Sequence, residues 1–270
     1  MLSWSIGPFT LSAQVALGLA FVGLFLLVSK LRSENKAQYS ELANLFSSAV
    51  MWALLGARLA FVALYWQEYR QNWWGTLDIR DGGFHVGAGI ATGLGYAAIR
   101  LYSRRHLAGH FALALIIGLV VVMPLQLSLA IVQQGARLPS QVLPDITGSD
   151  VALEQFAGKP VVINFWASWC PPCRREMPVL QAAQQDYSQL HVVLINQGER
   201  AADITRFVDE QGLQLNNMLL DRDGVVSRSV GASALPTTLF YDAQGKLVAS
   251  HLGELSKASL RAYLEKLNVE

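Results

Sequence analysis

Cys170 and Cys173 are the only cysteines among 270 residues, and they stand three apart in Trp169-Cys170-Pro171-Pro172-Cys173. Two cysteines cannot build a disulfide framework. Nor can they complete a four-thiolate zinc site, and no other metal site is expected. A pair at this spacing that opens a helix suits reversible thiol–disulfide exchange. At a helix start, Cys170 would meet unpaired backbone N–H groups and the positive end of the helix dipole, which favour its thiolate. Thiolate is the attacking species. Cys173, one turn deeper, would be shielded and would attack the mixed disulfide to release the product. Pro171 and Pro172 remove two N–H donors and stiffen the turn. No cofactor beyond the sulfur pair is implied.

The segment before the dithiol, Val161-Val162-Ile163-Asn164-Phe165-Trp166, is apolar and reads as a buried strand. From there strands and helices alternate. A helix is predicted over 170–187, a strand over 191–196 and a helix over 201–211. Strands follow over 237–241 and 246–251, joined by the turn Asp242-Ala243-Gln244-Gly245, and a last helix over 256–267 has Ser256 as N-cap. This order predicts an α/β domain with a mixed sheet over 145–270. Residues 135–144 hold Gly135, Pro139 and Pro144 and read as a linker.

Residues 1–134 read differently. Charged residues are only 15% of the chain, against roughly 25% in an ordinary soluble domain, and none precedes Lys30. A net charge of +1 implies no nucleic-acid partner. Four apolar runs, 11–28, 42–66, 83–99 and 111–132, are read as transmembrane helices, the fourth interrupted by Pro124. The first lacks the basic start and cleavage site of a signal peptide. Lys30, Arg32 and Lys36 in the first loop and Arg100, Arg104 and Arg105 in the third put those loops in the cytoplasm and both termini outside it. Tyr65, Trp66, Tyr69, Trp73 and Trp74 would form an interfacial belt in the second loop. Gly89-x-x-x-Gly93 would let helices approach closely within the bundle.

The segment from Asn164 to Cys173 resembles the active-site strand and helix start of thioredoxin-fold proteins, and within them the membrane-anchored TlpA/ResA group. Arg174-Arg175-Glu176-Met177-Pro178 continues the likeness, and Leu235-Pro236-Thr237-Thr238 resembles that family's cis-proline loop. The resemblance implies that Pro236 lies against the dithiol and offers a backbone edge to an extended client chain. Trp166 and Trp169 would shape the apolar surface. Thioredoxin has a buried aspartate where this chain has Asn164, which cannot take up a proton. In the ResA-like group a helix glutamate contributes the acid–base tuning, and Glu176 matches it. If buried, its raised pKa would couple to thiol deprotonation.

Gly56-Ala57-Arg58-Leu59-Ala60-Phe61-Val62 and Gly82-Gly83-Phe84-His85-Val86-Gly87 resemble two motifs of prolipoprotein diacylglyceryl transferase. In that family the matching arginine and histidine handle lipid, so Arg58 and His85 are candidate lipid-binding residues. The later Arg/Asn/Gly-rich signature has no counterpart, and Val86 stands where a glycine is usual. The resemblance therefore implies a truncated relative serving as an anchor.

Together these likenesses imply a four-helix transmembrane domain fused to a thioredoxin-like α/β domain. The chain would be a multi-pass protein of the bacterial inner membrane with its redox domain in the periplasm. It would reduce protein disulfides, as in cytochrome c or copper-centre maturation. The first half contains no cysteine, so a membrane thiol donor of the CcdA or DsbD kind is implied. Two other readings use the same residues: a DsbA-like oxidase, and a lipid-binding or lipoprotein-lipidation protein with an accessory redox domain.

Overall fold

The computed structural model describes residues 3–6, 9–70 and 73–269; residues 1, 2, 7, 8, 71, 72 and 270, which fall within the expected domains, lie outside them. Two compact units emerge, one of helices and one built on the segment from Ala130 onward.

In the N-terminal half a short antiparallel ribbon, β1 (Ser3–Ile6) and β2 (Phe9–Ser12), precedes α1 (Ala13–Arg32). Next come α2 (Lys36–Leu64), the single turn α3 (Trp66–Tyr69), α4 (Val86–Tyr102) and α5 (Arg105–Gln134). Three stretches, Ala13–Arg32, Lys36–Leu64 and Arg105–Ile131, are long and apolar enough to cross a membrane. Many of their large apolar side chains face outward, among them Leu19, Leu54, Leu59, Val120 and Leu127. In water such exposure would be costly; in hydrocarbon it is the ground state. The third of the four expected spans is α4, at 17 residues. At 1.5 Å per residue it extends about 26 Å, short of the roughly 30 Å hydrocarbon core. α5 runs through Pro124 without a break.

Close approach of α4 to α2 explains the glycines. A Cβ at Gly93 would lie 2.9 Å from Ala53 Cβ and 3.1 Å from the Ala49 carbonyl, and one at Gly89 would lie 3.0 Å from the Ala53 carbonyl. The Gly89-x-x-x-Gly93 pair thus packs within the bundle. Further along α2, Phe46 stacks on Phe25 at 3.9 Å, and Phe25 meets Phe111 edge-on at 5.2 Å.

The second unit is a five-stranded sheet. Its strands are β5 (Val161–Trp166), β6 (His191–Gln197), β7 (Met218–Asp221), β8 (Thr237–Tyr241) and β9 (Leu247–Leu252). Their spatial order is β7-β6-β5-β8-β9; β5–β6 and β6–β7 run parallel, β5–β8 and β8–β9 antiparallel. The mixed sheet follows from the connections: helical crossovers link the parallel strands, and a tight turn with Gly245 at φ 72° links the last two. The helices are α6 (Pro171–Asp186), α7 (Ala201–Glu210), α8 (Val225–Ser229) and α9 (Lys257–Lys266). Ser256 caps α9 in a capping box with Ser259.

Alternation along each strand divides the core in two. Val162, Trp166, Val192, Leu194 and Phe240 pack with α6, α7 and α9, while Val161, Ile163, Phe165, Val193 and Leu239 pack with Leu143, Leu153, Phe156 and Val226. Besides α8 and the β1–β2 ribbon, two pieces escaped the sequence pattern. β7 is only four residues and wholly buried, so it shows no alternation. The ribbon of β3 (Val142–Pro144) and β4 (Asp150–Ala152) begins inside the segment read as a linker. That segment is tied down further upstream: Leu138 N–H donates to the Gly245 carbonyl at 2.7 Å, and Arg137 bridges to Lys246.

Candidate active site

β5 ends at Trp166, and the chain turns through Ala167-Ser168-Trp169 before α6 starts. Cys170 is the N-cap, in extended conformation at φ −88°, ψ 108°. Its sulfur is bonded to that of Cys173, with the two Cα atoms 5.3 Å apart. Pro171 and Pro172 occupy the first helical positions, so the first helix N–H on offer is that of Cys173. It donates to Cys170 Sγ at 3.3 Å. The next, of Arg174, already closes a helical turn on the Cys170 carbonyl. A thiolate at Cys170 would therefore rest on one backbone donor where an ordinary helix start offers three. Cys170 is 4% exposed and Cys173 fully buried, while Trp169 stands 68% exposed beside them.

The apolar stripe of α6 runs Cys173, Met177, Leu180, with Glu176 in the same stripe and fully buried. β5 alternation turns Asn164 toward the same helix, since Val162 and Trp166 flank it on that face. The two meet: Asn164 Nδ2 donates to Glu176 Oε1 at 2.8 Å and to Thr238 Oγ1 at 3.0 Å. Leu255 N–H donates to Glu176 Oε2 at 2.9 Å. Burial pushes the Glu176 carboxyl up to about 8, the two hydrogen bonds and then the Glu254 charge acting as smaller influences. Asn164 Oδ1 and Trp166 Nε1 are buried without a hydrogen-bond partner among the described residues. Asn164 thus bridges β8 and α6 through Thr238 and Glu176.

The Leu235–Pro236 peptide bond is cis. Pro236 is buried at the start of β8, and Leu235 packs against both halves of the core.

Residues outside the sequence reading also belong to the site. Arg175 forms a 2.6 Å ion pair with Glu254, which neighbours the Leu255 amide on Glu176. Glu199, on the loop after β6, accepts from Ser168 and Asn196. The signal for Glu199 was its place: loops at the carboxyl ends of parallel strands are where α/β sheets build sites.

In the helical unit, Arg58 on α2 is 8% exposed. Its guanidinium donates to the backbone carbonyls of Thr76 (3.0 Å, from Nε), Gly83 (2.9 Å, from Nη1), and Gly75 and Asp78 (3.0 and 2.7 Å, from Nη2). Tyr69 and Phe84 rings lie 5.5 and 6.0 Å from it. Arg58 thus ties α2 to the loop that follows it. His85 caps α4, its Nδ1 accepting from Ala88 N–H at 3.1 Å, and its own N–H ties to the Ala57 carbonyl on α2. Both residues sit in one corner of the bundle, and only His85 is exposed. Arg58→Ala would strip several buried carbonyls of a charged donor and is expected to cost at least about 3 kcal/mol. A lowered unfolding midpoint of the detergent-solubilised chain, with faster proteolysis of the 73–83 loop, checks it; an unchanged midpoint refutes the clamp.

Comparison with known proteins follows this division. Residues 133–265 match the family model described as Redoxin, and residues 3–135 that of Prolipoprotein diacylglyceryl transferase. Thiol-disulfide oxidoreductase ResA of Bacillus thuringiensis (strain Al Hakam) is 31% identical over 137 residues, 50% of this chain and 79% of that protein. ResA of Geobacillus thermodenitrificans (strain NG80-2) is 32% identical over 135 residues, 49% of this chain and 77% of that protein. Among solved structures, the thioredoxin domain of a thiol-disulfide oxidoreductase from Bacteroides vulgatus is 27% identical, with a TM-score of 0.45; the match covers 51% of this chain and 98% of that one.

Proposed function

Because the chain belongs, through its C-terminal half, to the ResA family of thiol–disulfide oxidoreductases, we propose that it is a membrane-anchored reductase of protein disulfides outside the cytoplasm. In the forward reaction the Cys170 thiolate attacks one sulfur of a client disulfide. A Cys170–client bond forms, and the other client sulfur leaves as a thiolate and takes up a proton. The Cys173 thiolate then attacks Cys170 Sγ, the mixed disulfide breaks, and the second client thiol is released. Two electrons pass to the client and the Cys170–Cys173 disulfide remains. A dithiol donor must then reduce that disulfide to renew the two thiols. The helical half holds no cysteine, so we assign that task to a separate membrane thiol carrier of the CcdA or DsbD kind.

The observation that carries the direction is the single N–H on Cys170 Sγ. A strongly oxidising pair needs a well-stabilised reduced form. Here two prolines remove donors from the thiolate's side. A thiolate with fewer donors is less stabilised, which leaves the reduced pair the readier donor of electrons. Trapping the thiols in growing cells with a mass-tagged maleimide tests this: the pair is expected mostly reduced. A mostly oxidised pair would favour the DsbA-like reading.

We read α1, α2, α4 and α5 as four spans, with α4 short, and place the α/β domain in the bacterial periplasm on the charge of the intervening loops. The helical half serves as an anchor derived from a lipid-handling fold. The clamp formed by Arg58 favours that role over lipid transfer, because its donors face protein carbonyls.

A further inference from the structure

Ser168, two residues before the attacking cysteine, is held from several sides. Its N–H donates to Glu199 Oε2 at 2.7 Å, and its hydroxyl donates to Glu199 Oε1 in a short bond. Its carbonyl accepts from Arg174 Nη1 at 3.4 Å, and the Arg174 guanidinium in turn lies 5.0 Å from the Phe207 ring centre. Glu199 is itself oriented by Asn196 Nδ2, which donates to Oε2 at 2.7 Å from the buried end of β6. One half-buried carboxylate therefore takes three donors and joins the loop after β6 to the turn after β5. That turn is closed by Cys170 N–H on the Ala167 carbonyl at 3.2 Å. It carries the exposed Trp169 and leads directly into Cys170.

We propose that Glu199 is a positioning residue: by clamping Ser168 it fixes the Ala167–Cys170 turn in the orientation that a folded client disulfide must meet. The proposal rests on the reductase reading above. Charge-assisted bonds are the strong ones, and two of them converge on a single residue of the turn. A large client must align its disulfide with Cys170 Sγ while docking against Trp169, so an error of orientation at the turn is felt in full. A small disulfide approaches Cys170 freely and tolerates the same error.

The test compares two disulfides in single turnover. Full chain in detergent micelles is reduced, freed of reductant and mixed with excess insulin or excess dithiobisnitrobenzoate. Glu199→Gln places an amide NH2 against donors and cannot satisfy both bonds from Ser168. It is expected to slow reaction with insulin roughly tenfold and with the small disulfide less than about threefold. Ser168→Ala removes only the hydroxyl and should slow insulin alone, roughly threefold, while Ser168→Thr, which keeps both donors, should restore the rate. In the double variant Ser168→Ala should add nothing, because the link is already cut. Equal losses on both disulfides, or no loss on insulin, would overturn the proposal. Should Glu199→Gln not fold, the Ser168→Ala and Ser168→Thr pair carries the same comparison. A wild-type chain that reacts with dithiobisnitrobenzoate but not with insulin would instead overturn the reductase reading itself.

Discussion

Cys170→Ser is expected to lower reduction of protein disulfides by roughly a thousandfold or more, since an alkoxide at neutral pH cannot stand in for the thiolate. Cys173→Ala is expected to behave differently. Cys170 is the N-cap and Cys173 lies in the buried stripe of α6, so the variant can still make the first attack but cannot resolve it. It should accumulate mixed disulfides on Cys170, visible as high-mass bands on non-reducing gels that collapse when reductant is added. Mass spectrometry of those bands identifies the clients. If Cys173→Ala retained wild-type turnover, or if Cys170→Ser trapped the adducts instead, the assignment of attacking and resolving sulfurs would be reversed or wrong. The geometry argues against reversal, because the Cys173 amide already donates to Cys170 Sγ.

The second large effect concerns pH. The Glu176 carboxyl is pushed from 4.5 up to about 8 by burial. Between those values the folded domain keeps a proton that the unfolded chain has lost, so the unfolded state binds fewer protons. Stability is then fully present below about pH 4.5 and falls as pH rises toward 8, by about 1.4 kcal/mol per pH unit at the steepest. Glu176→Gln is neutral throughout and should flatten this decline. Its amide has a place to go: Asn164 Oδ1 is a buried acceptor without a partner among the described residues, and a turned Asn164 amide would present it to the new NH2. The same substitution should alter the pH dependence of Cys170 alkylation, since a carboxyl titrating near the thiols couples to them. Unfolding midpoints across about pH 5 to 8, together with alkylation rates, check both effects. A wild-type midpoint that stays level over that range, or an alkylation profile unchanged in Glu176→Gln, would remove Glu176 from the proton chemistry.

Much of the site could be read from residue types and order. The apolar run from Val161 to Trp166 had to be a buried strand, and two prolines directly after Cys170 could only be tolerated at a helix start. The position of Glu176 was also readable in principle: spaced three from Cys173 and one before Met177, it falls in the apolar stripe. Whether it was buried was not, because a long glutamate at the edge of a stripe can reach water. The strand β7 stayed hidden because a four-residue, fully buried segment has no alternation to detect. β3 and β4 stayed hidden because a Gly/Pro-rich segment gives the same pattern in a free linker and in turns that dock.

Arg58 marks the boundary most clearly. An arginine in an apolar run must find a partner, and that much follows from the cost of a charge in hydrocarbon. Four backbone carbonyls, 17 to 25 residues further on, supply it. Backbone groups are the same at every residue, so no side-chain pattern could name them. Glu199 and Ser168 are likewise 31 residues apart and meet only because β5 and β6 pair in parallel and end side by side. The sequence by itself determined the dithiol, its helix start, the strand–helix alternation and the apolar helices, because these depend on local spacing and residue type. Tertiary structure alone decided which carboxyl is buried, which is clamped to the active-site turn and what the membrane arginine holds, because desolvation and long-range hydrogen bonds exist only after the elements pack.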